Sequence, residues 1–157
     1  MPQPDVRSSS SERTMLNLGY LGLLPFAGAL VVSWTGLTVF GLAGEQLFIT
    51  YSAVILSFLS GVLWGSGLDN TPPTLSRYAL VLSNVFALLA WGALVKGATP
   101  LSLTVSVLTA GYFFVWLTER WIRHRQQKND QPAGYQTMRD RLTLSVVAFH
   151  GLLPVIA

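Results

Sequence analysis

Apolar residues fall in five runs parted by short breaks: Leu16 to about Phe40, Phe48 to Leu68, Tyr78 to Val95, Leu101 to about Trp121, and Leu142 to Ala157. A helix needs about 20 apolar residues to cross a hydrocarbon core of about 30 Å, so each run reads as a membrane-spanning helix. The fifth is the shortest, and an interfacial turn through Tyr135 and Met138 would lengthen the helix without adding to its apolar part. Strands fit poorly, because the runs lack a two-residue alternation and far exceed the about 10 residues of a barrel strand. The breaks have mechanisms. Asp69, Asn70, Pro72 and Pro73 cannot continue a helix, and Thr99 with Pro100 reads as an N-cap followed by a proline at the first helical position. Only residues 122–134, rich in Gln, Lys, Asn and Asp, make a longer polar connection. Pro25 should kink the first span and free a carbonyl near Leu21.

Composition agrees. Only 11% of the chain is charged and 51% is hydrophobic, with a mean hydropathy of +0.49. A soluble domain, where charged residues run near a quarter, could not cover its surface with so few. The expectation is an all-α polytopic membrane protein, a compact five-transmembrane-helix bundle over residues 16–157, preceded by a disordered cytoplasmic tail over residues 1–15. With no cysteine, disulfide scaffolds and zinc–cysteine sites are excluded. Nine of the ten Lys/Arg (Arg7, Arg13, Arg77, Arg120, Arg123, Arg125, Lys128, Arg139 and Arg141) fall on one side of such a bundle and only Lys96 on the other. The positive-inside rule then puts the N-terminus in the cytoplasm and the C-terminus in the periplasm of a bacterial inner membrane. The basic pI near 9.6 reflects this topology and attraction to anionic lipid, not nucleic-acid binding.

Within the spans, polar and small residues are the informative exceptions. Ala53, Ser57, Gly61 and Gly65 recur every four residues along the second span and include a GxxxG element, which predicts a close helix-packing seam facing another helix of the chain or a second subunit. Ser102, Ser106 and Ala110 form a weaker stripe on the fourth. His150 is the ionisable residue deepest in an apolar run, a candidate functional group whose plainer role is a hydrogen bond to a Ser, Thr or carbonyl inside the bundle. Asn84 is expected to act as interhelical glue. The other histidine, His124, lies in the polar connection, so a bis-histidine haem is excluded by count, and no metal or cofactor is expected.

No hydrolase, metalloprotease or phosphate-binding motif accompanies these residues. Topology does gather Tyr20, Trp64, Asp69, Arg77, Glu119, Arg120, Arg139 and Arg141 in one layer at the cytoplasmic face. Snorkelling arginines and interfacial aromatics anchor helices there, and the same residues could form a cleft for an anionic head group or an acidic partner surface. The leading functional reading is a non-enzymatic accessory or assembly subunit binding membrane lipids, anionic ones among them, or a larger membrane complex or a second copy. A small transporter or channel and an enzyme acting on lipid head groups are the alternatives.

The runs LGYLGLLPFAG (Leu18 to Gly28), YSAVILSFLSGVLWG (Tyr51 to Gly65), ALLAWGAL (Ala87 to Leu94) and YQTMRDRLTLSVV (Tyr135 to Val147) resemble an uncharacterised family of small bacterial five-span inner-membrane proteins, with a mitochondrial membrane relative in animals. The resemblance covers most of the chain from Leu18 onward. It implies a five-helix membrane domain and brings no activity. Leu63 and Phe86 depart from its pattern, where a polar residue and a proline are usual, and no catalytic residue is carried over.

Overall fold

The computed structural model describes residues 6–68, 72–126 and 134–157, with side chains over 13–68, 72–125 and 134–157. Among these the chain forms α1 (Val6–Leu21), α2 (Leu24–Thr35), a hairpin of β1 (Thr38–Val39) and β2 (Leu42–Ala43), α3 (Gly44–Leu68), α4 (Pro73–Lys96), α5 (Leu101–Gln126) and α6 (Tyr135–Ile156). The result is an all-α membrane bundle. The helices expose an apolar coat, with Trp34, Leu88, Trp91 and Leu144 each more than 60% exposed, as suits a body whose solvent is lipid.

The first apolar run becomes two helices. Pro25 stands in the first turn of α2, lacks the amide hydrogen that would continue α1, and the chain leaves the helix at Gly22 and Leu23. Tyr51 on α3 donates to the Gly22 carbonyl at this break, 3.0 Å away, so the expected kink is capped from a neighbouring helix. The run also ends sooner than Phe40. Gly36 closes α2 in the left-handed conformation, φ 67°, and Phe40 (φ 53°) and Gly41 (φ 75°) turn the hairpin. Positive φ at both central residues is what a two-residue hairpin with right-handed strand twist requires. At the other end α1 reaches back to Val6, so residues 6–15, assigned to a disordered tail by their composition, are helical. Extending a formed helix costs far less than nucleating one, and the apolar turns after Met15 supply the nucleus.

Four stretches are long and apolar enough to cross a membrane: Arg13–Thr35, Gly44–Leu68, Pro73–Lys96 and Leu101–Arg125. The fifth expected span falls short of that measure. Arg139, Asp140 and Arg141 occupy the start of α6 and leave residues 142–156 apolar, a length of about 22 Å at the α-helical rise.

α3 lies at the centre, against α2, α4 and α5, and α6 closes the bundle against α5, α2 and α1. The buried face of α3 runs through Ile49, Ser52, Leu56, Ser60, Leu63 and Gly67, in steps of three or four as a helix seam must. The small-residue stripe does not follow that face. Ala53 is fully buried, but Ser57, Gly61 and Gly65 point outward, and a Cβ built on either glycine meets nothing within 4 Å. Within the chain the stripe makes no continuous seam: a strict four-residue spacing turns about 40° per step on a helix and by Gly65 has rotated about 120° away from Ala53, which leaves Ser57, Gly61 and Gly65 on the outer face. Close backbone packing occurs elsewhere. A Cβ on Gly111 would lie 2.6 Å from Leu56, one on Gly67 2.9 Å from the Ala79 methyl, and one on Gly44 would collide with the Ser33 backbone.

Candidate functional site

The C-terminal half of α5 and the first turns of α6 run antiparallel, and each offers polar side chains at helical spacing. Arg139 and Glu119, 6% and 8% exposed, meet as a bidentate pair, Nε to Oε2 at 2.9 Å and Nη2 to Oε1 at 3.1 Å. A planar guanidinium can hold both carboxylate oxygens at once, which a lysine ammonium cannot. Asp140 accepts from Trp116 Nε1 at 2.7 Å and from Gln136 Nε2 at 2.8 Å, while Arg123 donates to Gln136 Oε1. Arg120 sits over the Trp116 ring, 5.5 Å from its centroid, and Arg123 over Tyr135 at 5.4 Å. Burial, and then the Glu119 carboxylate, push the Tyr135 phenol above its ordinary value. The Arg120–Asp140 contact, 3.8 Å and largely exposed, adds little.

A cleft of about 690 Å³ opens beside this pair between α1, α3 and α6, walled by Leu18, Phe58, Leu59, Val62, Tyr135, Arg139 and Leu142 among others. It continues into a narrower part of about 160 Å³ bounded by Gly22, Phe26, Ile55, Tyr112, Thr143 and Val146. The two parts share Leu18, Gly19, Phe58, Leu59, Arg139 and Leu142. Thr143 is 7% exposed, and its Oγ1 is the buried side-chain polar atom without a hydrogen-bond partner among the described residues.

A second polar centre lies deeper. His150 is fully buried, with Nδ1 2.8 Å from the Val146 carbonyl and Nε2 2.8 Å from Ser52 Oγ. The tautomer that satisfies both carries its proton on Nδ1, donating to Val146 and accepting from Ser52. Tyr112 donates to the Ser52 carbonyl at 2.8 Å, and the rings of Phe48 and Tyr112 pack edge-on to the imidazole at 4.8 and 5.4 Å.

Of the residues that topology gathers in one layer, the structure brings Glu119 and Arg139 into contact and sets Arg120 near Asp140. Tyr20, Trp64, Arg77 and Arg141 face outward, and Asp69 lies outside the described residues. Asn84 is also outward and donates to Leu80 of its own helix at 2.8 Å, so it joins no helices. Sequence reasoning passed over Trp116, Gln136, Asp140 and Thr143. The spacing of Gln136, Arg139, Asp140 and Thr143 along one helical face was the available signal. Ser102, Ser106 and Ala110, with His150 and Gly151, line a further groove of about 590 Å³ between α5 and α6.

An apolar helical body with a buried charge pair beside a lateral cleft defines a multi-pass membrane protein. Comparison with known proteins is consistent with the membrane class. The chain belongs to the family described as Protein of unknown function (DUF3429), whose model matches residues 11–154. It is 44% identical over 81 residues to Transmembrane protein 69 of Xenopus tropicalis, a stretch that makes up 50% of this chain and 31% of that protein. The resemblance to an uncharacterised family with an animal relative is thus shown. No solved structure matches the chain.

Proposed function

We propose that this protein is a non-enzymatic membrane module that holds a lipid in the α1–α3–α6 cleft and serves as an accessory or assembly subunit of a larger membrane complex. In this reading it resides in a bacterial inner membrane, N-terminus in the cytoplasm and C-terminus in the periplasm. The cleft carries the proposal: about 690 Å³, within the range of small-ligand sites, mainly apolar, with a few polar groups at one end. The outward Ser57, Gly61 and Gly65 give α3 a surface on which another protein's helix can approach closely. The deep polar groups bond to one another, His150 to Ser52 and Tyr112 to the Ser52 carbonyl, which supports structure more than a conduction path.

Purification in a mild detergent, followed by mass spectrometry of retained lipids and proteins, tests this. The expected outcome is a near-stoichiometric lipid that is lost when Val62→Trp fills the cleft mouth, together with a co-purifying membrane protein. A lipid-free, partner-free chain overturns the proposal.

A further inference from the structure

The ligand class can be read from charge and hydrogen bonding, given the lipid-holding reading above. Arg139 would be the obvious grip for a phosphate, but Glu119 engages it through both carboxylate oxygens, so the pair presents no net charge to the cleft. A phosphate brought there would face the Glu119 carboxylate and would have to break a bidentate pair in a low-dielectric site. Arg77 and Arg141, which could have added positive charge, face outward.

The lining of the narrow part includes one buried hydroxyl without a hydrogen-bond partner among the described residues, Thr143 Oγ1. Three helical threonines satisfy themselves: Thr35, Thr50 and Thr109 donate to the carbonyl four residues back at 2.9, 2.7 and 2.8 Å. Thr143 does not, although it is buried as deeply as the core around it. A hydroxyl left unpaired in an apolar interior is costly, and its natural complement is one acceptor oxygen. The narrow part of the cleft that Thr143 lines holds about 160 Å³, close to the about 150 Å³ of an apolar cavity that takes up benzene. Phe26 and Tyr112 supply aromatic walls there, and the wider part beyond continues apolar along Leu18, Phe58 and Val62.

We propose that the cleft binds an uncharged lipid whose head is a carbonyl-bearing ring and whose tail is a long hydrocarbon, the chemistry of a prenylated quinone, with Thr143 Oγ1 donating to a ring carbonyl. The ring occupies the narrow part, and the tail leaves through the wide mouth toward the bilayer. Neither electron transfer nor bond making is required of the protein.

The test uses the full chain in detergent micelles doped with decylubiquinone and dioleoyl phosphatidylglycerol, with bound species counted by native mass spectrometry and stability read from the melting temperature. The wild type is expected to retain the quinone analogue in preference to the phospholipid. Thr143→Val should lower quinone retention by about three- to tenfold, the size of one neutral hydrogen bond, while raising the ligand-free melting temperature, since it removes the orphaned hydroxyl. Thr143→Ser should restore retention. Unchanged quinone retention in Thr143→Val overturns the proposal, as does a lower melting temperature in that variant. Preferential, Val62→Trp-sensitive retention of phosphatidylglycerol overturns the ligand class and leaves the lipid-holding module standing. Retention of neither lipid, with no native lipid bound, overturns both.

Discussion

Two polar centres are buried in this bundle, and Tyr112 stands between them. Its ring lines the narrow end of the cleft, and its hydroxyl donates to the carbonyl of Ser52, whose own hydroxyl meets His150. The His150 centre is satisfied: both ring nitrogens are engaged, and Phe48 and Tyr112 pack edge-on to the imidazole, which also borders the groove between α5 and α6. The Glu119–Arg139 centre is open: its charges cancel, but it borders a cavity and Thr143 has no partner. In a bilayer, where water cannot serve as a spare partner, that difference leaves one centre satisfied and the other with an unmet donor. A satisfied polar group fixes how helices meet, while the unpartnered Thr143 hydroxyl makes no such link among the described residues.

The largest expected effect comes from breaking the ion pair. Glu119→Ala leaves a buried guanidinium without its counter-charge and should destabilise the protein by about 3–5 kcal/mol, read from thermal unfolding in detergent. The double variant Glu119→Leu with Arg139→Met should recover most of that, because two apolar side chains replace two mutually dependent charges. If Glu119→Ala melts like the wild type, the pair is not desolvated, and the neutral cleft loses its foundation.

What the sequence makes legible here follows the strength of each signal. Hydropathy runs and helix breakers mark α3, α4 and α5 to within a few residues, because crossing a membrane demands long apolar stretches and Pro72, Pro73 and Pro100 punctuate them. The hairpin at residues 38–43 was absorbed into the first run, since Leu37, Val39 and Phe40 are as apolar as a span while the turn rests on the backbone of Phe40 and Gly41. Helix facing was the harder problem. In a soluble bundle the apolar side points inward, but in lipid both sides are apolar, so nothing in composition separates Leu56, fully buried, from the outward Phe58. Topology sets Glu119 and Arg139 in one layer, whereas their contact depends on how α5 and α6 rotate against each other. Thr143 was invisible for another reason: a helical threonine ordinarily bonds its own backbone, and only coordinates show one that does not.

A smaller effect sharpens the comparison from the satisfied side. A double-mutant cycle on Ser52→Ala and His150→Ala isolates the bond between them and should give a coupling of about 0.6 kcal/mol, with about 1.7 kcal/mol as the upper end known for side-chain hydrogen bonds inside membranes. His150→Ala alone should cost more, since it also empties the space packed by Phe48 and Tyr112. Quinone retention should stay at the wild-type level in Ser52→Ala. A matching loss of ligand there would show that the two centres act as one through Tyr112.

The smallest expected effect lies on the outer face of α3, and it checks that both centres belong to one self-contained body. Gly61→Leu and Gly65→Leu each add a side chain where a Cβ meets nothing within 4 Å, so the stability of the isolated chain should shift by no more than about 0.5 kcal/mol. Gly111→Leu is the contrast. Its Cβ would lie 2.6 Å from Leu56 Cδ2, in the packed interface of α3 and α5 that also carries Ser52 and Tyr112, and the overpacking should cost about 1–3 kcal/mol. Melting curves taken at low and high protein-to-detergent ratio separate the cases. If the Gly61 and Gly65 variants lose stability only at the high ratio, the stripe is a contact between copies of the chain, whereas a loss at both ratios equal to that of Gly111→Leu would mean that α3 is rotated from the orientation described and that Ser52 does not face His150.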